Sequence, residues 1–179
     1  MAYGDEGDWA STGRLDCILW MVQHDPGNAW CRTPLTQVDY KAHPDAYRKV
    51  KQAWLEHTGV AEADVDSLRG AAQFIASEDH IEAEKLLMRA VATAPEGTEP
   101  WVDLGCLRPA PSGKLAAFIE AHRRGSHHPN LRAWIATTAA EVGDLGTAEA
   151  FARDLMTEAD GLRAKHGEKL DRPEEGRRL

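Results

Sequence analysis

The stretch SLRGAAQFIASEDHIEAEKLLMRAVATAP, from Ser67 to Pro95, contains two runs of apolar residues at helical spacing. Residues three and four apart lie on one face of a helix, so each run predicts an amphipathic α-helix. Two such helices cross closely only where small side chains lie between the backbones, and Ala71 and Ala83 provide them. Phe74 and Leu87 are suited to fill the space between neighbouring hairpins. The apolar positions of the two runs are Leu68, Ala71, Ala72 and Ile75, followed by Ala83, Leu86, Leu87 and Ala90.

The same pattern of small and large residues recurs along the chain at a nearly constant interval. Ala117 follows Ala83 by 34 residues, and Trp134 follows Trp101 by 33. An interval of this length is typical of proteins built from stacked helical hairpins. The small residues expected in the second helix of successive hairpins are Ala46, Ala83, Ala117 and Ala148.

This first stretch resembles the tetratricopeptide repeat in the relative spacing of its small, aromatic, large and proline residues. The next unit opens with Trp101, Leu104 and Gly105, which is similar to the Trp-Leu-Gly start of that repeat. The resemblance covers roughly Pro44 to Leu155, although the Arg108-Pro109 break and a shortened last unit depart from the pattern. The residues that carry the resemblance in the first stretch are Ala71, Phe74, Ala83, Leu87, Ala90 and Pro95.

The resemblance implies an all-α fold in which antiparallel helical hairpins stack as a short right-handed superhelix. It also implies a concave face that binds a peptide or a protein segment. Independently of this resemblance, short turns between helices of this length favour antiparallel neighbours. An irregular helical bundle is the alternative, because two of the units match the repeat only loosely.

Start and stop signals place the other helices. A first helix is predicted from Thr12 to His24 and a second from Pro44 to His57. We expect a seventh helix after Pro129, and an eighth from about Gly146 to Lys165 that follows the Gly143-Asp144 turn. The four helices in between are predicted to be capped by Asp64, Ser77, Thr98 and Ser112.

These elements predict one helical domain over residues 12–166. Its divergent first hairpin covers residues 12–57 and contains a long connection over residues 25–43. Residues 1–11 are rich in Gly and Asp, and residues 167–179 mix charges of both signs, so we expect both ends to be flexible.

The charge and composition of the chain limit its partners and its location. Among 179 residues the formal net charge is −8, which disfavours nucleic acid because affinity for phosphates depends on clustered Lys and Arg. There is no secretory signal pattern and no apolar run long enough for a membrane span. Three widely spaced cysteines argue against a disulfide framework, so we expect a cytoplasmic protein. The densest basic strip, interpreted as solvated surface, comprises His122, Arg123, Arg124, His127, His128 and Arg132.

The connection from Asp25 to His43 is unusually long for a compact domain and contains the aromatic Trp30. Three interpretations are open: the connection packs as a cap on the first hairpin, it covers a ligand as a flap, or it is mobile. Trp30 and His43 are its candidate ligand contacts.

Four residues near this connection suggest a metal site, but their spacing is poor. Structural zinc sites usually bring ligands in close pairs, and no such pair occurs here. Cys17 lies on an apolar-rich helix and is expected to be a buried small hydrophobic residue. We therefore predict neither a metal nor a cofactor. The four residues are Cys17, His24, Cys31 and His43.

Motifs for nucleophilic, phosphate-binding or metal-dependent catalysis are absent from the sequence. A groove in the resembled fold would be lined chiefly by the first helices of the hairpins. The same positions would equally suit the core, and that interpretation stays open. The candidate groove residues are Arg69, Gln73, Val102, Cys106, Arg132, Ile135 and Ala139.

The sequence thus predicts a non-catalytic adaptor of tetratricopeptide-repeat type that binds a protein or peptide. A self-association surface on the exposed end hairpin is compatible with this prediction. The alternative is a small helical enzyme or small-molecule-binding protein that uses residues 25–43 as a lid over a groove.

Overall fold

The structure, a computed structural model, describes residues 13–170. Within this range the chain forms eight α-helices and two short 3₁₀ turns and no β-strand, which confirms the all-α fold class. The chain divides into two compact units, with the boundary between Arg108 and Pro109. In the described range, no helix is both long enough and apolar enough to cross a membrane.

The first unit contains five helices. Consecutive helices contact each other along the series, and α5 also contacts α3. The 3₁₀ turns at Ala29–Arg32 and Pro34–Thr36 lie in the connection between α1 and α2. The helices are α1 (Arg14–His24), α2 (Pro44–Thr58), α3 (Val65–Ile75), α4 (His80–Thr93) and α5 (Glu99–Leu107).

The core of the first unit is centred on Trp54 of α2, whose side chain is only 1% exposed. Gly70 of α3 makes this burial feasible, because a Cβ atom at position 70 would lie 2.6 Å from Cη2 of the indole. Beside them, Tyr47 stacks on Phe74 with ring centroids 4.9 Å apart. A glycine in the middle of a helix therefore allows α2 and α3 to approach closely.

The second unit contains three helices: α6 (Pro111–Arg123), α7 (Leu131–Glu141) and α8 (Leu145–Leu170). Helix α7 contacts both α6 and α8. Phe118 of α6 stacks on Trp134 of α7 with ring centroids 5.4 Å apart. The turn into α8 contains Gly143 with a φ of 81°, a conformation that favours glycine. The buried apolar side chains are Ala117, Phe118, Ala121, Leu131, Ile135 and Ala139.

The small residues of the repeat pattern are buried to different extents. Ala83 in the first unit and Ala117 in the second are completely buried, each among the neighbours of its own unit. Ala46 and Ala148 are half-buried. The two complete burials agree with a role for these alanines in close helix packing, while the right-handed superhelix stays a prediction.

Of the four predicted helix caps, one accepts the expected hydrogen bond. Asp64 caps α3 as expected, and its carboxylate accepts a hydrogen bond from the Ser67 backbone N–H at 2.9 Å. Helix α4 is capped by Asp79 rather than Ser77, because the acceptor for the first turn lies directly before His80.

The other two predicted caps do not accept a capping hydrogen bond. Thr98 lies at the N-cap of α5 as expected, but its side chain makes no such bond. Helix α6 begins at Pro111, so Ser112 lies inside its first turn rather than before it. Proline is preorganised for the first helical turn, which explains this earlier start.

Some predicted boundaries also differ. Helix α1 begins at Arg14, and the predicted start at Thr12 and the flexible residues 1–11 lie outside the described range. Helix α8 continues through Leu170, so residues 167–170, which the sequence assigns to a flexible tail, are helical. The rest of that tail lies outside the described residues.

Candidate functional site

A groove runs between α3 and α5 in the first unit, with Leu87 of α4 at its base. Its volume is about 360 Å³. Ala72 and Leu87 are 1% and 3% exposed and form an apolar floor, and polar side chains line the rim. This combination of apolar floor and few polar groups is typical of small recognition sites. The lining residues are Arg69, Ala72, Gln73, Ala76, Leu87, Asp103, Cys106 and Leu107.

Arg69, a predicted ligand contact, is held by carboxylates on α3 and α5. Its Nε atom donates to Asp103 at 2.5 Å, and its two terminal nitrogens pair with Asp66 at 3.2 Å and with Glu99 at 3.4 Å. Its side chain is 13% exposed. Burial acts to lower the pKa of Arg69, but the hydrogen bond that Arg69 donates to Asp103 and the surrounding negative charges outweigh it, so the pKa is raised. Arg69 thus joins α3 to α5 and has no need of a ligand carboxylate.

Sequence reasoning missed the three carboxylates around Arg69. Part of the cluster was open to prediction from spacing. Asp66 precedes Arg69 by three residues, which places the two side by side on α3, and Glu99 and Asp103 are four residues apart, which places both carboxylates on one face of α5. The pairing of Arg69 with Asp103 across 34 residues had no local signal.

Gln73 and Arg32 connect the rim of the groove to the segment 25–43. The Gln73 side-chain amide donates to the Arg32 carbonyl at 3.1 Å. The Arg32 guanidinium pairs with Asp66 at 3.1 Å and donates to the Gly27 carbonyl at 3.2 Å. A continuous polar network therefore joins the segment to α3.

The segment 25–43 has the features of a packed connection. Cys31, Thr36 and Val38 are buried, and the Thr36 hydroxyl donates to the Cys31 carbonyl at 2.9 Å. These contacts favour the packing interpretation over the flap and mobility interpretations. Burial, followed by the negative charge of Asp25, raises the pKa of the Cys31 thiol.

Trp30 and His43 lie apart from the groove between α3 and α5. Trp30 is 61% exposed and borders a separate, largely apolar cavity of about 420 Å³ between α1 and the segment 25–43. His43 is half-buried at the N-cap position of α2, where its carbonyl accepts from the Tyr47 N–H at 2.9 Å. The predicted site residues of the first unit therefore belong to more than one location.

Val102 is 3% exposed, so the core interpretation applies to it. Cys106, one turn further along α5, is exposed and lines the groove. Together with Arg69 and Gln73 it makes three predicted ligand contacts in one groove. In contrast, Cys17 is exposed, which corrects the expectation of a buried residue; it faces the cavity beside Trp30.

The predicted site residues of the second unit are mostly structural. Ile135 and Ala139 are completely buried, again in agreement with the core interpretation. Arg132 of α7 forms an ion pair with Glu158 of α8. It borders a polar cavity of about 520 Å³ that is also lined by His122, His127 and His128.

Within residues 13–170, no three His, Cys, Asp or Glu side chains are arranged to hold a metal ion. No protein-family model, no curated protein and no solved structure matches the chain.

Proposed function

We propose that this chain is a helical repeat protein of tetratricopeptide-repeat type that binds a segment of another protein in the groove between α3 and α5. One observation carries the proposal: Arg69, Gln73 and Cys106, expected from the repeat pattern to face a ligand, line the same groove. The cytoplasm remains the expected setting, in which the exposed thiol of Cys106 stays reduced.

The chemistry of the groove supports an extended segment as its ligand. Ala72 and Ala76 leave room above the floor for an apolar side chain of the bound segment. Gln73 lies on the exposed rim; its amide nitrogen already donates to the Arg32 carbonyl, and its amide oxygen is suited to accept from a peptide backbone. The engaged state of Arg69 argues against recognition of a free terminal carboxylate through that side chain.

A displayed library of random peptides, selected against the pure chain, tests the proposal. We expect enrichment of a common sequence motif, and backbone NMR shifts on addition of that peptide should cluster at Gln73, Ala76 and Cys106. Ala76→Phe should block the groove and weaken binding at least about tenfold, which corresponds to about 1.4 kcal/mol.

Ala92→Phe is the matched control, because Ala92 is an exposed residue of α4 outside the groove. This variant should bind like the natural chain. Equal loss of binding in both variants, or selection of no motif by the natural chain, would contradict the proposed function.

A second candidate function is the binding of a small apolar molecule in the cavity beside Trp30. The specific observation is the size of that cavity, about 420 Å³, which lies in the range of small-molecule sites. A screen of apolar fragments by thermal shift tests it, with Trp30→Ala expected to abolish any stabilisation. Fragments that stabilise this variant as much as the natural chain would reject the cavity as their site.

A further inference from the structure

Helix α8 is the least buried helix in the described part of the chain. No side chain between residues 145 and 165 is buried. The half-buried side chains are Thr147, Ala148, Phe151 and Leu155, and they mark the side of α8 that packs within the second unit. The rest of the helix surface has no covering element among residues 109–170.

An apolar stripe runs along one exposed flank of α8. It consists of Leu145, Ala152, Met156 and Ala159, which we call the flank stripe. Their spacing of seven, four and three residues places them on one face of a helix, about a quarter of a turn from the packed side. Leu145 is 70% exposed and Met156 is 68% exposed.

The flank stripe is uncovered among the described residues of the second unit. Exposed apolar side chains that share one face of a helix are suited to form a contact with another surface. The flank stripe therefore has the character of a contact between helices.

The charge pattern of α8 indicates what covers the stripe. The first part of the helix carries four acidic residues and one basic residue, and the part that follows carries Arg163 and Lys165. If a second copy of α8 runs antiparallel, its basic end lies over the acidic part of the first. Arg163 of the second copy then lies near Glu149, and the twofold arrangement forms each such contact twice. The charged residues of the first part are Glu149, Arg153, Asp154, Glu158 and Asp160.

We propose that two copies of this chain associate through α8, with the helices antiparallel and the flank stripes in contact. From Leu145 to Ala159 the flank stripe extends about 21 Å along the helix. Ala152 and Ala159 are small enough to let the two helices approach, and Met156 fills the space between them. The contact uses residues of the second unit and none of the residues that line the groove between α3 and α5.

Sedimentation velocity of the full chain over a range of concentrations tests this proposal. We expect a reversible dimer whose dissociation constant rises at least about tenfold in Ala152→Glu, because a charge is then buried in the contact. Ala150→Glu is the matched control: Ala150 is exposed on another side of the same helix and the substitution is identical. Circular dichroism should show the same helix content in all three proteins.

The antiparallel orientation has a separate test by charge exchange. Glu149→Lys and Arg163→Glu should each weaken the dimer severalfold, and the double variant should restore it, because the pair between copies is re-formed with reversed signs. Both residues are exposed, and their partners within the helix, Arg153 and Asp160, are unchanged.

Three outcomes would overturn the proposal. A chain that remains monomeric at every concentration would exclude self-association through α8. A dimer weakened equally by Ala152→Glu and Ala150→Glu would place the contact elsewhere. A double charge variant no stronger than either single variant would exclude the antiparallel arrangement.

Discussion

The hairpin of α3 and α4 and the hairpin of α7 and α8 differ sharply in burial, although the two helices of each hairpin contact each other extensively. Helix α3 also contacts α2 and α5, and most of its side chains are buried. Helix α8 makes extensive contacts with α7 and with no other described helix, and none of its described side chains is buried. A hairpin therefore buries only its facing sides, and its flanks depend on neighbours.

The glycines of these hairpins provide the sharpest test of the difference, and the largest expected effect. Gly70→Ala should lower the free energy of unfolding by about 3 kcal/mol, since the new methyl group would overlap the buried indole of Trp54. Gly161→Ala in α8 should instead raise it by about 0.5–1 kcal/mol, because no atom lies within 4 Å and alanine favours the helix.

Urea unfolding followed by circular dichroism measures both effects. Because the substitution is the same, the two variants differ only in the surroundings of the glycine. Equal stabilisation by both would show that α2 and α3 are not in close contact at Gly70.

The arginines of the two units offer a second comparison, with a smaller effect. Arg69→Ala should destabilise the first unit by about 2 kcal/mol, because Asp66, Glu99 and Asp103 would be left close together without their shared cation. Arg132→Ala removes one exposed ion pair with Glu158 and should cost less than about 1 kcal/mol.

Hydrogen exchange locates the consequence of each arginine variant. Faster exchange at the facing turns of α3 and α5 is expected for Arg69→Ala, with α7 and α8 unchanged. An equal loss of unfolding free energy in Arg132→Ala and Arg69→Ala would show that the greater burial of Arg69 does not make its ion pairs more stabilising.

The cap of α3 provides a third test, with an effect smaller than that of Arg69→Ala and with a pH dependence. Burial acts to raise the pKa of Asp64, but hydrogen bonds from the Ser67 hydroxyl and backbone outweigh it and lower the pKa. A lowered folded-state pKa stabilises the fold above the ordinary carboxyl pKa of about 4, and this contribution is lost as pH falls through the lowered value.

Asp64→Ala should therefore cost about 1 kcal/mol at neutral pH and progressively less in acid. Asp64→Asn keeps a capping oxygen and should cost less than the alanine variant at neutral pH, and its cost should also fall in acid, because neither variant carries the titrating carboxylate. Thermal unfolding of the two variants and the natural chain between neutral and acidic pH checks both expectations. A cost for Asp64→Ala that grows in acid would contradict the role of the ionised carboxylate.

The sequence was sufficient to predict most helices, because their signals are local. The apolar spacing around Leu68 and Ala83 and the prolines near Leu107 act within a few residues of the helix they define. The cap of α4 was predicted at Ser77 instead of Asp79, because both residues precede the same apolar run and either one has a suitable oxygen.

The candidate site was less accessible to sequence reasoning. Repeat positions grouped Arg69, Gln73 and Cys106, which line one groove, but the same reasoning could not separate them from Val102, which is core. Which face of a helix is buried depends on where its neighbouring helices lie. The same spacing of residues is therefore compatible with a role in the core or a role in the groove.

What the sequence by itself determined about this protein is the all-α class and the approximate extent of each helix, since periodicity, proline and capping residues act over a few positions. The tertiary structure alone decided that three carboxylates surround Arg69, that Trp30 borders a different cavity, and that one flank of α8 is bare. Each of these depends on contacts between residues distant in the chain, and such contacts arise only when helices take up particular angles and distances.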